Sequence, residues 1–169
     1  MRKQIKKDAL PEGKSQHVSL ADLLPLMEEV IKAGKTFRLF PMGNSMRPLL
    51  REGKDSVLLV YISPQDVQGN DMILYRREDG AFVLHRVVAV EKDGTLTLRG
   101  DSQYYNETGI SKEQVIALVQ GFYRGGKYHD CESSLYYRFY LFRRRLSYPL
   151  RRFSFRVSSF LRRRLTKRR

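Results

Sequence analysis

The stretch DMILYRREDGAFVLHRVVAV, residues 71–90, decides the fold. Two runs of β-branched, aromatic and long apolar residues, 71–76 and 81–90, flank the pair Asp79-Gly80. Aspartate offers a local side-chain acceptor and glycine accepts positive φ, so the pair predicts a β-hairpin. The same pattern repeats outward. TLTLR (95–99) follows Asp93-Gly94, while TFRLF (36–40), SVLLVYI (56–62) and VIALVQGF (115–122) stand between breakers such as Gly43-Asn44, Gly53, Pro64, Gly69-Asn70 and Gly109. Gly125-Gly126 closes the series. Six short runs of this kind predict a mainly β fold, a compact, coiled antiparallel β-domain.

One helix is expected ahead of the strands. Ser19 is placed to cap it, with Asp22 as a short capping-box partner. Leu20, Leu23, Leu24, Met27, Val30 and Ile31 recur at helical spacing, Pro25 interrupts the pattern and Gly34 is placed to stop it. A single helix is too little for a helix-turn-helix reader of DNA, which needs at least two. Residues 1–17 are polar and read as a flexible arm, 18–127 as the β-domain with its N-terminal helix, and 128–169 as a tail.

The charge of +14 is unevenly distributed. Residues 131–169 carry thirteen Lys and Arg against one acid, Glu132, and the remainder of the chain is close to neutral. The tail also holds nine of the nineteen aromatics. Pro149 divides it into two expected helical halves, the first with a stripe at Leu135, Phe139, Phe142 and Leu146. The longest runs without a charged residue span ten positions, 56–65 and 114–123, far short of the ~20 apolar residues of a spanning helix. The basic start is not followed by an apolar run, so no cleavable secretory signal is expected. The lone Cys131 excludes a disulfide framework, and in His129-Asp130-Cys131 three contiguous residues cannot wrap one ion. No metal and no cofactor are expected.

Chemistry concentrates at Pro41-Met42-Gly43-Asn44-Ser45-Met46-Arg47-Pro48. A serine between a Gly-Asn turn and a proline-stiffened segment is held in a constrained, exposed position, where a nucleophile belongs. Serine alone is inert near neutral pH and needs a base. The plainer alternative is an ordinary turn serine.

A series of boxes in chain order weighs against that alternative. Gly43-Asn44-Ser45-Met46-Arg47-Pro48 resembles the Gly-x-Ser-Met-x-Pro nucleophile motif of signal peptidase I and the LexA-like serine peptidases. Arg51 to Leu58 and Gly69 to Tyr75 resemble the Gly-Asp-hydrophobic strand starts of that superfamily. Leu84-His85-Arg86-Val87-Val88 resembles its base-bearing strand, and Arg99-Gly100-Asp101-Ser102 its Gly-Asp-Asn box. The resemblance spans roughly residues 36–123. Where many members carry a lysine this chain has His85, which is similar to the Ser-His, endoplasmic-reticulum-type branch. Histidine, with an ordinary pKa of ~6.5, accepts a proton near neutral pH without the heavy desolvation that a lysine requires.

The resemblance implies a serine endopeptidase that cleaves a leader or signal peptide, with Ser45 as nucleophile, His85 as base, and Asp101 as the natural partner to orient the imidazole. Glu107, six residues on, is the second acid. Gly43, Asn44, Met46 and Pro48 are expected to form the oxyanion hole and substrate cleft. Gly43 stands where many signal peptidases have a hydroxyl donor, which shifts oxyanion stabilisation to backbone N–H groups. Two rivals are a LexA-like regulator that cleaves itself and a non-catalytic relative that binds membrane or nucleic acid. The tail is expected to contact an anionic membrane peripherally, by default on the cytoplasmic side, through Arg143, Arg144, Arg145, Arg151, Arg152, Arg162 and Arg163, with nucleic acid as the other polyanion.

Overall fold

The computed structural model describes residues 19–145. The expected arm, and the tail beyond 145 with Arg151, Arg152, Arg162 and Arg163, lie outside the described residues. Helix α1, Leu20–Lys32, opens on Ser19, whose Oγ accepts from the Ala21 N–H at 3.3 Å, while Asp22 sits in the first turn. Pro25 lies inside the helix without ending it. Met27 and Ile31, one turn apart, are the buried face. Gly34 takes a φ of +77°, the left-handed conformation that favours glycine at a helix end.

Eight strands follow: β1 Phe37–Leu39, β2 Ser56–Val60, β3 Met72–Arg76, β4 Phe82–Val90, β5 Leu96–Arg99, β6 Glu107–Ile110, β7 Val115–Arg124 and β8 Lys127–Asp130. A second helix, α2, spans 135–145. All pairings are antiparallel, in the order β1-β2-β7-β3-β4-β5-β6, with β8 also on β7. The sheet is mainly antiparallel and does not close into a barrel, with β1 and β6 at its ends. Among the described residues no helix is long and apolar enough to cross a membrane.

The two Asp-Gly pairs each make the same three-residue hairpin loop. Arg77 N–H bonds Ala81 O and Glu91 N–H bonds Thr95 O, both within 2.9 Å. Gly80 and Gly94 take the left-handed position at φ +85°, and Asp79 and Asp93 accept from the backbone two residues on. β6 and β8 extend the set of strands read from the sequence. Gly125-Gly126 is a two-residue turn, both φ positive, that folds β8 back on β7 with Arg124 opposite Lys127. The boundary expected at 127/128 thus falls inside a strand, and Tyr137 of α2 reaches the core with 3% exposure.

Side chains alternate across the sheet and divide the core in two. Met72 and Leu74 face α1, Leu49, Leu50 and Tyr137. Ile73 and Tyr75 face Val87, Leu96, Leu98 and Leu118. This alternation separates the neighbours His85 and Arg86: His85 pairs across the ladder with Ile73, and Arg86 with Met72.

Candidate active site

Residues 41–50 form a chain of turns pinned from three directions. Met46, Leu49 and Leu50 are buried pegs. Arg124 donates to the carbonyls of Pro48 and Leu49 at 2.6 and 2.7 Å. Ser102 donates its N–H to Ser45 O at 2.8 Å and its hydroxyl to Asn44 O and Ser45 O at 2.8 and 3.0 Å. Gly100 allows that contact, because a Cβ there would meet Ser45 O at 2.7 Å. The peptide Arg47-Pro48 is cis. Gly43, at φ +81°, gives its N–H to Glu52 Oε1 at 2.9 Å.

Ser45 and His85 line one cleft of about 300 Å³, together with Gly43, Met46, Arg77 and the exposed Met42 and Tyr105. No hydrogen bond joins the serine and imidazole side chains. Of the residues expected in the cleft, Asn44 and Pro48 are outside its lining; their carbonyls are the acceptors that hold the loop to Ser102 and Arg124.

The imidazole is 1% exposed. Its Nδ1 lies 3.3 Å from Glu107 Oε1 and 3.3 Å from the Tyr75 hydroxyl. Glu107 is held in turn. Tyr75 donates to its Oε2 at 2.6 Å, Arg77 Nε donates to the same oxygen at 2.8 Å, and a second Arg77 nitrogen pairs with Oε1. Burial opposes ionisation of Glu107, but the bonds from Arg77 and Tyr75 outweigh it and keep the carboxyl below its ordinary range. Burial also lowers the His85 pKa against the pull of the Glu107 charge. The site therefore holds a neutral imidazole beside an ionised carboxylate, the protonation pair that base catalysis needs.

Asp101, expected as the orienting acid, is elsewhere. Arg86 grips it from Nε and a terminal nitrogen at 2.8 and 2.7 Å, Tyr140 donates to it at 2.9 Å, and Arg144 Nε lies 2.9 Å away. The cause is the pleat: Asp101 follows Arg86, which points away from the face that His85 shares with Ile73 and Tyr75. Burial disfavours the Asp101 charge, yet Arg86, Arg144 and Tyr140 together hold its pKa down. Arg144 is also corrected: expected as an outward polyanion contact, its side chain is 16% exposed and turned to Asp101, whereas Arg143 and Arg145 are exposed.

Tyr75, Arg77 and Glu52 were not anticipated. Tyr75 and Arg77 sit two residues apart, on one side of the chain that leads from β3 into its turn. Their signal was the alternation itself, opposite a strand whose histidine was already singled out. His129 stacks on Phe122 with ring centres 5.2 Å apart.

The family model of the Peptidase S24-like proteins matches residues 8–121. The chain belongs to the Peptidase S24-like family. The match covers Ser45, His85 and Glu107, and it supports a peptidase, either acting on other chains or cleaving itself. A comparison with curated proteins found no match.

Proposed function

We propose that this S24-like protein is a serine endopeptidase of the signal-peptidase type in which Ser45, His85 and Glu107 act as nucleophile, base and orienting acid. The observation that carries the reading is the Arg77- and Tyr75-held Glu107 carboxylate 3.3 Å from His85 Nδ1, in a cleft that Ser45 also lines. With Nδ1 protonated toward Glu107, Nε2 keeps its lone pair for the Ser45 proton. Ser45 Oγ then adds to the scissile carbonyl carbon and forms an acyl-enzyme. The imidazolium returns the proton to the leaving amine, and water repeats the sequence to release the acid.

Gly43 contributes no side chain, and its N–H is committed to Glu52, which leaves the Ser45 N–H as the backbone donor at the nucleophile for the developing oxyanion. Exposed Met42 and Tyr105 at the cleft suit an apolar peptide. A leader or signal peptide with small residues before the cut is the substrate class that the family resemblance favours.

The test is labelling by a fluorophosphonate serine probe. The natural chain should label, and Ser45→Ala and His85→Ala should not. Equal labelling in all three overturns the reading. Incubating the purified chain alone separates the modes: two fragments that depend on Ser45 make it self-cleaving.

A further inference from the structure

Helix α2 presents two different faces. Inward, Tyr137, Tyr140 and Arg144 engage the Arg86–Asp101 pair: Arg86 donates to the Tyr137 hydroxyl oxygen at 2.5 Å, Tyr140 donates to Asp101 at 2.9 Å, and Arg144 Nε lies 2.9 Å from the same carboxylate. Outward, Leu135, Phe139 and Phe142 are exposed by 77%, 65% and 61%. Their i, i+4, i+7 spacing lines them along one stripe. At 3.6 residues per turn, Arg138 and Arg145 border the stripe on one side and Arg143 on the other, and all three are exposed.

The inner face ends close to the nucleophile. Asp101 lies between Gly100, which backs onto Ser45 O, and Ser102, which donates two hydrogen bonds to that carbonyl. A shift of α2 therefore reaches Ser45 through one ion pair and one turn. The outer face fits an anionic bilayer. Rings in the centre and guanidiniums on both borders match the acyl boundary and the phosphate level of a lipid interface. The sequence continues past 145 with nine Lys and Arg and no acid, the sign that anionic headgroups attract.

We propose that α2 is a membrane-seated strap: its outer face beds in an anionic bilayer while Tyr140 and Arg144, as positioning residues, hold the 100–102 turn, so that bilayer contact raises the reactivity of Ser45. Only the reactivity arm rests on the hydrolase reading above.

The experiment uses the full chain with vesicles of phosphatidylglycerol and phosphatidylcholine, or of phosphatidylcholine alone. It reads flotation, the rate of fluorophosphonate labelling, and hydrogen exchange at 99–103. The natural chain should float with the anionic vesicles and label about 5-fold faster or more on them, the lower end of ordinary coupling between sites. Replacing Leu135, Phe139 and Phe142 together by Ser should abolish flotation and acceleration and leave labelling in solution unchanged. Tyr140→Phe and Arg144→Gln should float without acceleration, and Arg144→Lys should restore it. No flotation, or retention by duplex DNA in place of vesicles, overturns the partner. Acceleration undiminished in Tyr140→Phe and Arg144→Gln overturns the strap. If the natural chain does not label at all, the hydrolase reading fails by itself and hydrogen exchange decides. Slower exchange at 99–103 on vesicles, absent in Arg144→Gln, supports the strap; unchanged exchange overturns it.

Discussion

Glu107 Oε1 and His85 Nδ1 face each other at 3.3 Å across two strands that are not neighbours in the sheet, β6 and β4. The intervening β5 supplies neither group; Glu107 reaches the imidazole because Arg77 and Tyr75 hold it there. Removing the carboxylate should leave the imidazole without the group that fixes its tautomer. Glu107→Ala is expected to slow Ser45 labelling by ~10²–10⁴-fold, the usual range for a positioned acid–base group. Labelling rates in the variant and the natural chain check this, and a loss under tenfold would show that the carboxylate is dispensable.

The pH dependence has a definite sign. Burial lowers the His85 pKa from its ordinary 6.5, so the imidazole stays neutral to a lower pH than an exposed histidine. Labelling should fall only as the pH drops through that lowered value, giving an acid limb below ~6.5. Stability follows the same direction. Below ~6.5 the unfolded chain takes up the proton before the folded one, so the His85 contribution is present above that pH and is lost toward the lowered value. A labelling profile whose acid limb lies above 6.5 would contradict the burial account.

Much of this arrangement was legible in the sequence, for physical reasons that differ by residue. Asp79-Gly80 and Asp93-Gly94 announce their hairpins because one side-chain acceptor and one left-handed residue suffice for the loop. Ser45 and His85 stand out by their neighbours in the chain. Asp101 and Glu107 could not be assigned that way, because only strand register tells which carboxylate shares a face with residue 85. The strand β8 was hidden by its composition: Lys127 to Asp130 is polar and short, and two glycines before it read equally well as an end or a turn. The inward turn of Arg144 was hidden in the same way, because helical spacing groups residues by side without saying which side meets the sheet.

Asp101 is expected to behave unlike Glu107. Arg86 is fully buried and has Asp101 as its charge partner. Asp101→Ala leaves that guanidinium buried without its counter-charge, a loss of ~3–5 kcal/mol for a broken buried pair. Urea unfolding should show this directly. The acid limb of the labelling profile should move at most slightly and to lower pH, since the His85–Glu107 contact is untouched and the Asp101 charge is the smallest of the influences that act on the imidazole. A large shift of that limb in Asp101→Ala, with stability unchanged, would make Asp101 the orienting acid after all.

Gly100 tests the nucleophile loop without altering a charge. Its φ is ordinary, so the glycine is needed for space and not for backbone freedom. A Cβ at this position would stand 2.7 Å from Ser45 O and 2.9 Å from Gln103 Oε1. Gln103 is a flexible side chain and can swing away, but Ser45 O is backbone and is already held by two bonds from Ser102. Gly100→Ala must therefore push the nucleophile loop off the 100–102 turn and carry Ser45 away from its place in the cleft. A misplacement of about 1 Å at a reacting group costs ~10²-fold. Labelling of Ser45 should fall by that order while the α1 side of the core, packed by Met27 and Ile31, stays intact. The check is to measure labelling and thermal unfolding on the same preparation. Natural labelling in Gly100→Ala would mean that the turn yields and does not position the serine.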